Sequence, residues 1–282
     1  MPSRVTICSG FSPRGYEQYG RRFLQTMDQF FPPVLGLNLV VYVERRVAYP
    51  ARFKMRSLWD CAGAEDFVRR NGSDPARNGA VAIDVATRQP HSGEPEGWRW
   101  DAVKFFKQCM IPEDASRYLA DGDVLCWLDA DVVAFAPIPP GLWSQMLGDS
   151  DLCYMGRGES HSEIGFWAVR LNTATRGFLF DLAELYRSDA IFDLPQYHSA
   201  FAFDHCRRKH EVGMKVKNLT PTGRGGENVW WRTPLRDCLD HLKGPQRKAL
   251  GKSPERDLSP AQFEELCQKA HAKMAAMGKV AA

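Results

Sequence analysis

The sequence predicts an α/β fold: a Rossmann-like mixed sheet flanked by helices, with a C-terminal helical tail. Three observations lead there. Short apolar, β-branched runs at residues 5–8, 37–44 and 124–128 have the length of buried strands rather than of helices. Other stretches, notably 16–31 and 173–187, carry apolar residues at helical spacing. Gly, Pro, Ser and Asp punctuate the junctions, giving the strand, loop and helix alternation of layered α/β domains.

Composition bounds the rest. With 282 residues, 44% hydrophobic and 25% charged, the chain is globular material. We expect one domain over 1–250 and a helical extension over 251–282. A formal net charge of +3 neither requires nor excludes a polyanionic partner. The 8 cysteines form no C-x-x-C and several lie in apolar runs, which points to buried reduced thiols rather than a disulfide framework or a zinc site. The start, MPSRVTICSG, lacks the apolar core of a signal peptide, and no run approaches the length of a membrane span, so a cytoplasmic protein is expected.

In chain order, the first strand (5–8) leads into a loop, 9–15, read from Ser9, Gly10 and the residues up to Gly15. A small-residue loop before a helix either lets backbone N–H groups approach a nucleotide or is a mere tight turn; no G-x-G-x-x-G decides it. The helix at 16–31 ends at Pro32-Pro33, and the second strand spans 37–44. A helix near 58–71 precedes a polar stretch, 71–97, read as an insertion or mobile loop. Residues 98–110 have helical character, and Arg99 and Lys104 on that helix either reach a diphosphate or belong to a solvated face.

The segment 121–139, DGDVLCWLDADVVAFAPIP, organises the chain. A buried strand at 124–128 runs into Asp129 and Asp131, then a second apolar run at 132–136. In open α/β sheets, ligands sit beyond the carboxyl ends of strands, so this Asp-x-Asp pair is a candidate seat for a divalent cation. Such a cation offsets the charge that grows on a nucleoside diphosphate as its bond to sugar breaks.

Beyond it come a short helix at 142–147 and a strand at 151–155. A glycine and polar cluster then delivers His161, Ser162 and Glu163 just before a strand carrying Phe166, Ala168 and Arg170. Glu163 is the residue we choose for chemistry, as acceptor base or as a carboxylate near the anomeric carbon. The helix at 173–187 is followed by Tyr197, His198, Ser199 and Asp204 on or beside another helix. Arg207, Arg208, Lys209, His210, Lys215 and Lys217 form the densest basic patch, either a solvated face or a nucleic-acid surface. A strand ends at 218–220, residues 223–226 read as a flexible hinge, and Trp230-Trp231 as an apolar anchor. The stretch 237–248 is too short for a core element, and 259–277 reads as a tail helix with a frayed end.

With WLDADVV and DHLKGPQRK both in view, the chain resembles the metal-dependent glycosyltransferases of the GT-A fold, specifically the family-8 type, and a group of glycosyltransferase-like proteins of bacteria and phages. The resemblance covers residues 1–250. It implies that Asp129, Asp131 and His241 hold Mn²⁺ or Mg²⁺. It further implies that Ser9, Gly10, Asp129, Lys243, Gly244 and Lys248 contact a nucleotide-sugar donor, a UDP-sugar being favoured. The family's His-x-x-Gly-x-x-Lys is matched at His241 and Gly244, with Arg247 or Lys248 in the cation's place. Many relatives carry an Asp in the helix corresponding to 197–204, where this chain has His198-Ser199; His198 and Asp204 therefore join Glu163 as catalytic candidates.

The expected function is transfer of a sugar from a nucleotide sugar to an acceptor hydroxyl, on a glycan or on 5-hydroxymethylpyrimidine in DNA with the target base flipped outward. Two rivals remain open, a sugar nucleotidyltransferase and a non-catalytic nucleotide- or DNA-binding module.

Overall fold

A computed structural model of the chain describes residues 4–84, 87, 90–91 and 97–276. The chain starts with β1 (Val5–Phe11), capped by Ser12, whose hydroxyl accepts from Gly15 N at 3.1 Å. A continuous helical stretch, α1, follows as Pro13–Gly15, a π turn over Tyr16–Gly20 and Arg21–Phe30. Next come β2 (Leu37–Val43), β3 (Lys54–Ser57), α2 (Ala64–Asn71) and a small pair, β4 (Ala82–Ile83) with β5 (Pro90–His91). Helices α3 (Ala102–Phe105) and α4 (Lys107–Ser116) lead into β6 (Val124–Leu128) and β7 (Val132–Ala134). Then follow α5 (Leu142–Leu147), β8 (Leu152–Arg157), β9 (Ser160–Arg170), α6 (Thr173–Arg187), α7 (Ser199–His210) and β10 (Val216–Asn218). Last are β11 (Leu239–His241), α8 (Pro245–Leu250) and α9 (Pro260–Ala276).

Seven strands form one mixed sheet in the order β10-β8-β9-β6-β1-β2-β3. β6, β1, β2 and β3 run parallel, while β9 lies antiparallel between β6 and β8. Because successive side chains alternate across a sheet, each strand feeds two cores. Ile7, Val41, Cys126 and Phe166 point to a core covered by α1, α5, Trp230, Trp231 and α9. Cys8, Tyr42, Trp127 and Trp167 point to a second core under α2, α4, α6 and α7. All eight cysteines are buried and unbonded.

Several expectations need correction. Residues 9–11 are not loop: Ser9, Gly10 and Phe11 pair with Val41, Tyr42 and Val43, so β1 outruns its apolar run. β3 escapes periodicity because KMRS is a polar edge strand. The helix expected at 98–110 is broken into a 3-10 turn (Gly97–Trp100), α3 and α4, and α4 continues through Pro112. His161, Ser162 and Glu163 lie inside β9, where Glu163 pairs with Met155 across a register shift, rather than before the strand. Gly223 is no hinge: a Cβ there would stand 2.7 Å from the Gly156 carbonyl oxygen, so the backbones are in close contact. The stretch 237–248 does hold a core element, since Leu239, Asp240 and His241 are buried in β11. Of the stretch read as an insertion or mobile loop, residues 85, 86, 88, 89 and 92–96 lie outside the described residues, as do 277–282 at the tail's expected frayed end.

Candidate active site

β6 is buried along its whole length and delivers Asp129 at its carboxyl end, where Asp129 N donates to Gly165 O of β9 at 2.8 Å. The chain then turns into β7, and β7 pairs antiparallel with β11, His241 opposite Val132. Leu242 N closes the pair on Asp131 O at 2.9 Å. This two-stranded ribbon is what brings residue 241 back to residues 129 and 131. His241 Nε2 lies 3.1 Å from Asp131 Oδ1 and 3.7 Å from Asp129 Oδ2. One ligand atom from each of Asp129, Asp131 and His241 lies within 4.8 Å of the others.

Three features hold this geometry. Gly165 leaves room for the imidazole: a Cβ there would meet His241 Cε1 at 2.6 Å. Trp230 packs on the other side, ring centroids 5.3 Å apart. Asp129 Oδ1 accepts from Gln108 Nε2 at 2.5 Å and from Trp127 Nε1 at 2.8 Å, which fixes the carboxylate and leaves Oδ2 facing His241. Gln108 in turn accepts from the Ser199 hydroxyl at the start of α7.

Cations ring the acids. Lys248 Nζ is 2.8 Å from Asp131 Oδ2, and Lys243 Nζ 2.7 Å from Glu163 Oε2. Arg157 lies 3.5 Å from the same Glu163 oxygen and braces the strand by donating to His161 O and Ser162 O. Glu163 Oε1 is 3.8 Å from His241 Nδ1, which links Glu163 and its cations to the Asp131–His241 pair. Of the two residues matched to the family's final lysine, Lys248 enters the cluster while Arg247 pairs with Glu255 at 2.5 Å. Gly244 (φ +86°) makes the turn between Lys243 and α8 with open space around it.

Burial and charge set the protonation states. Burial lifts the Asp129 carboxyl, and the neighbouring Asp131 lifts it further. Burial acts the same way on Asp131, yet His241 and Lys248 outweigh it and hold this carboxyl well below the usual range. Glu163 is likewise held low by Lys243, Arg157 and His241 against its burial. For His241, burial disfavours the cation, but Asp131, Glu163 and Asp129 together raise its pKa. Three carboxylates and an imidazole kept in register by cations form a half-buried site that concentrates charge.

The other candidates sit apart from this cluster. His198 caps α7, its Nδ1 accepting from Phe201 N at 3.4 Å and its Nε2 donating to Gln196 Oε1 at 2.8 Å. Asp204 accepts from Ser162 N (2.9 Å) and Ser162 Oγ (2.6 Å), so it positions the residue beside Glu163. Ser9 is wholly buried, its hydroxyl without a hydrogen-bond partner among the described residues. Gly10 packs under α4, where a Cβ would meet Ile111 Cδ1 at 2.5 Å. Lys104 is exposed with Nζ 5.0 Å from the Phe105 ring, and the Arg99 guanidinium lies 5.8 Å from the Trp98 ring. The basic patch is largely neutralised by its own neighbours: Lys209 and His210 meet Asp181, Arg207 meets Asp204 and Glu211, and Lys215 meets Asp149.

Sequence reasoning missed Gln108, Trp127, Arg157 and Gly165. Trp127 directly precedes Leu128-Asp129 in a strand, so its indole shares a face with Asp129, a signal that strand alternation contains. Nothing in the sequence marks the other three.

No family model matches the sequence, and no curated protein does. Among solved structures, the chain is similar to the galactosyltransferase LgtC in complex with donor and acceptor sugar analogs (14% identity, 95% of each chain, TM-score 0.47). It is also similar to a glycosyltransferase involved in glycosylation of the major capsid of PBCV-1 (14% identity, 88% of this chain and 98% of that one, TM-score 0.47). A third likeness is to mouse xyloside xylosyltransferase 1 in its apo form (9% identity, 83% and 91%, TM-score 0.44).

Proposed function

We propose that the chain is a metal-dependent glycosyltransferase that moves a sugar from a nucleotide-sugar donor, a UDP-sugar being favoured, to an acceptor hydroxyl. The observation that carries this reading is the convergence of Asp129, Asp131 and His241 within 4.8 Å, with Lys248 and Lys243 beside them. The donor set fits Mn²⁺ or Mg²⁺: two hard carboxylate oxygens and one imidazole nitrogen, with Lys248 already on Asp131 as a positive charge the site demands. Such an ion, when bound, supplies Lewis-acid stabilisation of a departing diphosphate.

The protein's own groups do the rest. Lys248 and Lys243 are the cations free to turn from carboxylate to phosphate, because both hang on the short, glycine-led segment before and within α8. While Lys243 and Arg157 hold Glu163, its carboxylate is too weakly basic to take a proton. Movement of Lys243 onto phosphate removes one of these cations and raises its basicity, which links donor binding to the readiness of Glu163.

The rival readings lose support here. A nucleotidyltransferase needs a cationic glycine-rich loop after its first strand, and Ser9 and Gly10 lie within paired β1. A DNA acceptor needs outward cations for several phosphates, whereas most of the 207–217 run is paired with Asp and Glu.

Calorimetric titration of UDP with and without MnCl₂ tests the proposal. Metal-dependent binding that Asp131→Asn abolishes is the expected result; metal-independent binding, or none, sinks it. Donor hydrolysis across a panel of nucleotide sugars then identifies the donor.

A further inference from the structure

A cleft of about 640 Å³ lies apart from the acidic cluster and shares no residue with it. Its floor is the face of β1, β2 and β3 that looks toward the second core, and Ala115, Tyr118 and Leu119, at the end of α4 and just after it, line it too. β3 is the edge of the sheet. Val40 pairs with Lys54 and Tyr42 with Arg56, so both cations stand on the same face as two buried side chains of β2.

Arg56 is held in place yet idle. Its guanidinium carbon lies 3.7 Å from the Tyr118 ring centroid, a stacked position that orients the plane. Among the described residues none of its N–H groups makes a hydrogen bond, and Nε is buried without one. Its one ion-pair partner among them is Asp114, whose Oδ2 stands 3.9 Å from Nε and already accepts from the Tyr42 hydroxyl at 2.7 Å. Lys54 is exposed and has no ion pair among the described residues. Arg4 adds a third cation to the lining, against the single acid Asp60. Inward charge on an edge strand also guards against edge-to-edge pairing. That role calls for charge alone, and leaves unexplained an oriented fork whose donors are unmet inside a cleft.

A planar fork with two further cations suits a phosphate dianion. The rest of the lining suits hydroxyls: Thr6 and Asn38 pair across the floor, and Asp60 is an acceptor that repels a second anion. The volume falls in the range of small-molecule sites. We infer that this cleft binds a small phosphomonoester with a hydroxylated carbon skeleton, its phosphate held by Arg56, Lys54 and Arg4. The site stands independently of the donor reading, because Asp129, Asp131 and His241 take no part in it.

Calorimetric titration of the full chain in EDTA tests the inference, with glucose 6-phosphate, glucose, glucuronate and inorganic phosphate as probes. The expected result is saturable binding of glucose 6-phosphate, about tenfold or more tighter than that of the other three. Arg56→Ala weakens it about tenfold or more. Lys54→Gln, which alters an exposed side chain, weakens it about threefold while the thermal midpoint stays that of wild type, so the cleft is still tested where Arg56→Ala fails to fold. Lys248→Ala, in the acidic cluster, leaves the affinity within about twofold. The reading is overturned if glucose 6-phosphate does not saturate, or if glucose, glucuronate or inorganic phosphate binds as tightly. It is equally overturned if folded Lys54→Gln and Arg56→Ala bind as wild type does, or if Lys248→Ala removes binding, which would put the phosphate at the acidic cluster.

Discussion

At the residue scale, His241 owes its position to an absent side chain as much as to its partners. Gly165→Ala drives a methyl group into the imidazole at 2.6 Å, and with Trp230 behind it the ring has to rotate off Asp131. We expect Mn²⁺ affinity, read by electron paramagnetic resonance, to fall about tenfold or more while the circular-dichroism spectrum is unchanged. Unaltered affinity would show that the imidazole is not a ligand. His198 gives a pH prediction. Burial, reinforced by His161 and Arg99, lowers its pKa from 6.5 to about 3. Between those values the unfolded chain binds a proton that the native chain refuses, so stability falls as pH falls, on the order of 1 kcal/mol per pH unit. His198→Asn keeps an N-cap oxygen and removes the titration, so its denaturation midpoint should decline less than that of wild type from pH 7 to 4.5. Parallel declines would refute the assignment.

At the element scale, the ribbon of β7 and β11 is the device that completes the cluster, and its weak point is buried. Asp240 Oδ2 accepts from Ser253 N at 2.7 Å inside the protein, pinning β11 to the segment after α8. Asp240→Ala leaves that N–H unpaired and should cost about 1–3 kcal/mol in urea denaturation. Metal affinity should weaken alongside, since His241 is the next residue; a stability loss with metal binding intact would mean that the pin serves packing alone. The same ribbon explains what could be read beforehand. α5 and α6 show their periods plainly, because each buries a regular face, and β6 shows as an unbroken apolar run, because it is buried along its whole length. β11 does not: three residues, LDH, carry no period, and their strand character comes wholly from pairing with β7. His241 was reached by resemblance, and the exact choice between Arg247 and Lys248 needed the fold, because the turn of α8 faces one toward Glu255 and the other toward Asp131.

At the scale of the whole molecule, the sheet separates two cores, and the first core depends on the C-terminal helix. Phe263 and Cys267 of α9 are buried in it, while Arg232 spans Glu227 and Glu264 and His271 meets Glu227 at 2.7 Å. Phe263→Ala should therefore cost about 3 kcal/mol and lower the thermal midpoint by roughly 6–10 °C. A shift under about 2 °C would show that α9 is an appendage. Composition could not say which residues of the tail reach the interior, since α9 offers many alanines and little contrast between its faces. The large sheet, by contrast, is announced by its apolar strands, and the exception is β3, a charged edge that needs only one neighbour.

All seven strands of that sheet are supplied by residues up to Asn218, yet the imidazole that meets Asp131 arrives only with His241. During synthesis from the N-terminus, a nascent chain can thus pair its main sheet while Asp129 and Asp131 still lack their imidazole partner. Ribosome-tethered fragments ending before β11 would hold every strand of the sheet yet lack His241, and the first core would close only when α9 follows the last ribbon out of the exit tunnel.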